Sequence, residues 1–305
     1  MTEPDTAEAL SSSAPPPGQI AYGCWRLTQG GVEAARRNIN AALEAGMTVI
    51  DTADIYGYGE PAGFGGAEAL LGQILSDAPH LRAQMYLATK AGVDLPKPYN
   101  SSPAYLEAAL NASLARLATD YVDLFYIHRP DLTVPFSDVA GALNRFMASG
   151  RIRAVGVSNF TASQARALAA HLDAPIAAIQ CELSAWHQAP LEDGTLDLAM
   201  EIGAKVYAWS PLAGGSLATG SPLGAAAPAD FERLMVAIDR LAEARGASRT
   251  QIALAFVTHL HARPVPIIGT QSPGRITEAA SAAEITLKPE EVYGLVAARR
   301  GAPLP

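Results

Sequence analysis

The feature that most constrains this chain is its alternation. From Ile20 onward a short apolar run is followed by an amphipathic helical segment, again and again. The apolar runs are QIAYG, MTVID, QMYLATK, VDLFYIH, IRAVGVS, IAAIQ, AKVYAWS and VPIIG, eight in all. A brief, nearly continuous apolar run bounded by turn residues reads as a strand buried on both faces. Strands that alternate with helices pair in parallel, and eight such units in one chain predict an α/β fold of the (β/α)8 TIM-barrel type. The helices have their own signals. Ser102 and Pro103 form a helix start, after which Leu106, Leu110, Leu114 and Leu117 recur on one face, and Gly150 closes the next helix. A doubly wound sheet would require a G-x-G-x-x-G turn after an early strand, and the chain has none. Residues 231–261 hold two helical stretches before the last strand, which predicts one extra helix on the barrel.

No linker interrupts the pattern, so residues 20–305 are expected to form one domain, ample for a barrel at 49% hydrophobic content. Residues 1–19 are acidic and rich in Ser, Ala and Pro. They are expected to be a disordered tail, with neither the basic start nor the apolar stretch of a signal peptide. The strand pair that could plug a barrel floor is not evident before Ile20. A net charge of −8 repels nucleic acid and anionic lipid, and no run of about 18 apolar residues is present, so neither nucleic acid nor membrane is an expected partner. Two cysteines and no Cys/His cluster at zinc spacing point to a reducing cytoplasm and no metal. A monomer is expected.

In such barrels the active site lies at the C-terminal ends of the strands. The polar residues there are Asp51, Lys90, His128, Ser158, Asn159, Gln180, Trp209 and Ser210, with Tyr56 in the loop after the second strand. Tyr56, Lys90, Asp51 and His128 suit one chemistry. A free phenol has a pKa of about 10, and a neighbouring ammonium lowers it, at about 1.4 kcal/mol per unit. A carboxylate keeps that ammonium charged, and a histidine can direct a substrate oxygen. The set can protonate an oxygen while charge develops on it, which carbonyl reduction requires.

DTADIYG, LATK, YIHRP and GVSNF, in this order and spacing, resemble the aldo-keto reductases, and most closely the bacterial members with a short C-terminal tail. The resemblance implies NADPH (or NADP+) extended across the barrel mouth without a Rossmann domain, and a small-molecule carbonyl substrate. It implies Tyr56 as general acid/base, with Asp51, Lys90 and His128 as its partners. It puts Ser158, Asn159 and Gln180 on the nicotinamide carboxamide and Trp209, where a tyrosine is more usual, flat against the ring. It also puts Gly23, Cys24 and Trp25, the segment Ser210, Pro211, Leu212 and Gly214, and then Ile268, Gly269, Thr270, Arg275 and Glu278 on the nucleotide. Arg275, in the first turn of a helix, suits the adenosine 2′-phosphate. A lysine common at the position of Gly269 is missing, so NADH stays as the lesser alternative. Trp25, Arg26, Tyr56, His128 and Trp186 are candidates for the substrate pocket, bordered by a glycine-rich loop, residues 57–66, expected to be mobile. Two other functions fit parts of the pattern: a nucleotide-sensing regulatory protein on the same barrel, and an aldolase using Lys90 as a Schiff base.

Overall fold

Eight parallel strands close on one another in chain order: β1 (Ala21–Gly23), β2 (Val49–Asp51), β3 (Tyr86–Ala91), β4 (Leu124–Ile127), β5 (Val155–Ser158), β6 (Ile176–Glu182), β7 (Lys205–Trp209) and β8 (Val265–Ile268), the last pairing back to β1. This is a computed structural model, and it describes residues 18–222 and 228–302. Six strands lie inside their apolar runs, while β3 extends one residue past its run, to Ala91, and β6 two residues past, to Glu182. β4, β5 and β7 end one residue before His128, Asn159 and Ser210, and the N–H groups of His128 and Asn159 still donate across to Ala91 O and Gln180 O. The tail expected over residues 1–19 falls almost wholly outside the described residues; Gly18, within them, donates its N–H to Thr48 Oγ1 at 3.2 Å.

Helices α1 (Gly31–Glu44), α2 (Gly66–Asp77), α3 (Pro103–Leu117), α4 (Phe136–Ala148), α5 (Ala162–Ala169) and α6 (Thr195–Ile202) each return the chain to the next strand. Ser102 caps α3 as its sequence predicts, accepting from the N–H of Tyr105. Between β7 and β8 the chain forms the single turn α7 (Ser216–Thr219), then α8 (Pro228–Arg245) and α9 (Arg249–Thr258). The expected extra helix is α8, which packs on the C-terminal α11 (Pro289–Arg300); α10 (Pro273–Ala280) follows β8 directly.

Strand side chains alternate between two apolar layers, as a period of two dictates. Ala21, Val49, Tyr86, Ala88, Leu124, Tyr126, Ala154, Ala178, Tyr207, Val265 and Ile267 fill the lumen, while Ile50, Leu87, Phe125, Val157, Ile179 and Val206 pack under the helices. Large phenols face small residues: a Cβ at Gly156 would lie 2.5 Å from the Tyr126 ring, so that glycine is what admits the tyrosine. Outside the barrel, α2 and α3 pack closely enough that a Cβ at Gly72 would come within 1.8 Å of the Arg116 carbonyl oxygen.

The loop over residues 57–66 carries its own hydrogen bonds. It is a chain of turns (Tyr58 N–H to Ile55 O, Glu60 to Gly57, Gly63 to Glu60, Gly66 to Gly63). The Glu60 carboxylate ties it to the loop after β1, accepting from the Thr28 hydroxyl and the Gln29 amide.

Candidate active site

Past the end of β2 the backbone keeps following β3. The N–H of Thr52 donates to Ala88 O and that of Asp54 to Lys90 O, and a turn at Ala53 then swings Tyr56 over Lys90. The lysine is fully buried, and its three ammonium hydrogens each have an acceptor. Nζ lies 2.5 Å from Asp51 Oδ2, 2.9 Å from Thr52 O and 3.1 Å from Tyr56 Oη. The His128 ring stands edge-on to the Tyr56 ring, centroids 6.1 Å apart, and the Trp25 ring meets it edge-on as well, at 4.9 Å. Trp25 itself is 57% exposed, so it forms part of the rim above the phenol. Asp51, Tyr56, Lys90 and His128 thus meet at one point.

Their electrostatics differ from the sequence expectation in one respect. Burial opposes the charge on Lys90, but Asp51 and Tyr56 outweigh it and hold the ammonium above its ordinary range. An amine so charged and so bonded is not a free Schiff-base nucleophile. The Tyr56 phenol was expected to be lowered. Instead burial, the largest influence, raises it above its ordinary 10.0; Lys90 pulls it back only in part, and Asp51 opposes that pull. The site therefore holds Tyr56 protonated at neutral pH, as a proton donor. His128 is pushed well below 6.5 by burial first, then by the cations of Lys90 and Arg129, so its imidazole is neutral. Its Nδ1 is buried with no hydrogen-bond partner among the described residues. A buried orphan N–H is rarer than a bare acceptor, so the favoured tautomer carries its hydrogen on Nε2.

The residues assigned to a nucleotide fall around the same mouth, not all as expected. Asn159 Nδ2 donates to Ser158 Oγ at 2.8 Å and to His128 O at 3.2 Å, while its Oδ1 accepts from the Trp209 indole at 3.0 Å. Gln180 is buried and donates to Asp51 Oδ1 at 2.9 Å, so it steadies the carboxylate that pairs with Lys90. In the segment after β7, Ser210 Oγ accepts from the Gly214 N–H, and Gly214 and Gly215 adopt positive φ. Pro211 is buried and Leu212 partly so. At the β8 end Ile268 is buried, Gly269 and Thr270 are half-buried, and the Thr270 carbonyl accepts from Tyr22. Arg275 is exposed on α10 with Glu278 half-buried one turn on, and no carboxylate among the described residues pairs with Arg275.

Three placements correct the sequence reading. The Cys24 side chain is fully buried, its thiol pushed up by that burial, so only its backbone could meet a ligand; Gly23, just before it, is also buried. Trp186 stacks edge-on with Phe231 and lies under the Arg299 guanidinium at 4.0 Å, docking the C-terminal helix rather than joining the Tyr56 cluster. Arg26 reaches the end of β8, where its Nη1 would lie 3.9 Å from a Cβ at Gly269; a cation therefore stands beside the position of the missing lysine.

Sequence reasoning missed what lies behind the tetrad. Buried Glu68 on α2 accepts from the hydroxyl of Thr89, the neighbour of Lys90, and from Arg116 Nε at 2.8 Å. Asp54, 1% exposed, has no side-chain donor on its carboxylate among the described residues. Burial first, then the charge of Glu68, push it well above the ordinary carboxylate range. Its folded pKa exceeds the unfolded value of about 3.9, so the folded state binds the extra proton and stability falls as pH rises above that value. Asp54→Asn is accordingly expected to melt higher than the wild type at pH 8. By about pH 4 the gain should vanish, which thermal melts at the two pH values check.

The chain matches the model of the aldo/keto reductase family over residues 19–299. It is 44% identical over 289 residues to a 6-dehydroglucose reductase of Novosphingobium aromaticivorans, covering 94% of this chain and 93% of that protein. A 6-dehydroglucose reductase of Agrobacterium fabrum is 33% identical, covering 88% and 90%. Among solved structures, the glycerol dehydrogenase of Gluconobacter oxydans superposes with a TM-score of 0.81 at 27% identity, covering 95% of each chain. A closed eight-stranded barrel, a buried lysine joined to a carboxylate and a phenol at its mouth, and these matches have one reading: the chain belongs to the aldo/keto reductase family and is an oxidoreductase.

Proposed function

We propose that the protein reduces aldehydes or ketones to alcohols with NADPH. The observation that carries this reading is the Lys90 ammonium, held between Asp51 and the Tyr56 hydroxyl beneath the exposed Trp25. The residues around the mouth suit a nicotinamide nucleotide. Ser158 Oγ keeps its own hydrogen to give, Trp209 offers a half-exposed aromatic face, and Arg275 and Arg26 are cations without carboxylate partners among the described residues. When bound, that nucleotide supplies a hydride. The chain's own residues do the rest. The neutral His128 donates from Nε2 to the carbonyl oxygen and fixes its direction. Tyr56 gives its proton to that oxygen as negative charge develops there. Lys90 stays charged beside the phenol oxygen and stabilises the phenolate left behind, while Asp51, itself held by Gln180, keeps the ammonium in place.

For the substrate we propose a small polyhydroxylated aldehyde. Two relatives at 44% and 33% identity are named 6-dehydroglucose reductases. An exposed indole at the rim gives the apolar C–H face of such a molecule a surface to cover. Tryptophan-fluorescence titration with NADPH and NADH, followed by NADPH consumption on sugar-derived and simple aliphatic aldehydes, tests both parts. The expected result is tighter binding of NADPH than NADH, a preference that narrows about tenfold in Arg275→Ala, and turnover of aldehydes. Binding of NADPH without turnover of any aldehyde would favour a nucleotide sensor instead.

A further inference from the structure

Trp209 has two chemical parts, an aromatic face and an N–H, and the structure uses both. Asn159 lies 50 residues earlier in the chain, just past β5, at φ 60°, a left-handed conformation that asparagine tolerates better than most residues. Its backbone N–H donates to Gln180 O at 2.9 Å. Both hydrogens of its carboxamide are committed, to His128 O at 3.2 Å and to Ser158 Oγ at 2.8 Å. Its Oδ1 accepts from the Trp209 Nε1–H at 3.0 Å. The side chain is therefore fixed at every polar position but one, the second lone pair of Oδ1. Ser158 is in the complementary state: its oxygen accepts from Asn159 and its own hydrogen has no acceptor among the described residues.

We propose that the Trp209 indole N–H is a latch that fixes the Asn159 carboxamide as an acceptor. Resting on the nicotinamide reading above, the latch orients the nicotinamide carboxamide, its NH2 toward Asn159 Oδ1 and its oxygen toward the Ser158 hydroxyl. Trp209 is then a positioning residue as well as a face. Because Asn159 also grips the His128 carbonyl, the same bond ties the nucleotide site to the backbone of the residue that directs the substrate. A phenylalanine at 209 would keep the face and lose the latch.

The experiment compares wild type, Trp209→Phe, Asn159→Gly and the double variant; glycine accepts the positive φ at 159. The probes are NADPH and its 3-acetylpyridine analogue, in which a methyl replaces the carboxamide NH2. Wild type should bind NADPH more tightly than the analogue by roughly 3–10-fold, the worth of one neutral hydrogen bond. Trp209→Phe should reduce that ratio and raise the KM for NADPH more than it lowers kcat. In the Asn159→Gly background the ratio should be near one, and Trp209→Phe should change it no further. A Trp209→Phe protein that discriminates like wild type, or effects of the two substitutions that simply add, would overturn the latch. A second readout needs no nucleotide. With three tryptophans in the chain, the Trp209 indole proton can be assigned by NMR. It should exchange slowly with solvent in the free protein and quickly in Asn159→Gly; equal exchange in both overturns the latch even if the wild type binds neither nucleotide and the functional reading fails separately.

Discussion

Tyr56→Phe should lower kcat for carbonyl reduction by about 10²–10⁴-fold, the usual contribution of a positioned general acid, while NADPH affinity changes little. The variant keeps the ring that packs against Trp25 and His128 and loses only the oxygen that accepts from Lys90 Nζ at 3.1 Å. Steady-state kinetics at saturating NADPH measure the loss. The pH dependence has a definite sign. Burial raises the phenol above 10.0, so the wild type should not lose reductive rate to phenol ionisation until the pH passes that value. The reverse reaction needs the phenolate and should quicken with rising pH. His128, held neutral, should add no acid limb at pH 6.5. A Tyr56→Phe enzyme with unchanged kcat would remove this residue from the chemistry.

Lys90→Met should be the more damaging change, because it removes a buried charge from a pair. Asp51 would remain in the barrel at 3% exposure, with Gln180 as its donor and no cation. Stranding one member of a buried pair costs about 3–5 kcal/mol, which in a chain of this size lowers Tm by roughly 5–10 °C. Turnover should fall at least as far as in Tyr56→Phe, since the phenolate loses its stabilising cation. The double change Asp51→Leu with Lys90→Met separates the two effects. It replaces the pair by apolar side chains, so thermal melts should recover much of the lost stability while turnover stays abolished. Recovery of both would mean that the pair serves the fold alone.

The barrel was legible because a strand buried on both faces must be apolar throughout, and a polar residue at or next to its C-terminal end stands out against that run, as Asp51, Lys90 and Ser158 do. The tetrad was legible for the same reason, joined to the DTADIYG and YIHRP motifs. The direction of the Tyr56 shift was not, because it depends on how much water the finished mouth excludes, and no spacing encodes that. The support behind the tetrad was hidden by distance along the chain: Glu68 and Arg116 are 48 residues apart, and Trp209 and Asn159 are 50 apart. Trp186 looked like a pocket residue by its place after β6. What decides its role is Arg299, 113 residues later, whose guanidinium covers the ring once α11 docks.

One mouth is expected to deliver a hydride from NADPH and a proton from Tyr56 to the same carbonyl. Single-turnover reaction of the purified protein with NADPH deuterated at nicotinamide C4, on either face in turn, tests it directly with an aldehyde the enzyme turns over. Deuterium should appear on the carbinol carbon of the alcohol from one face only, and Tyr56→Phe should slow that transfer by about 10²–10⁴-fold while still binding the nucleotide. Alcohol formed without deuterium from either face, or transfer at the wild-type rate in Tyr56→Phe, would mean that the mouth does not deliver both.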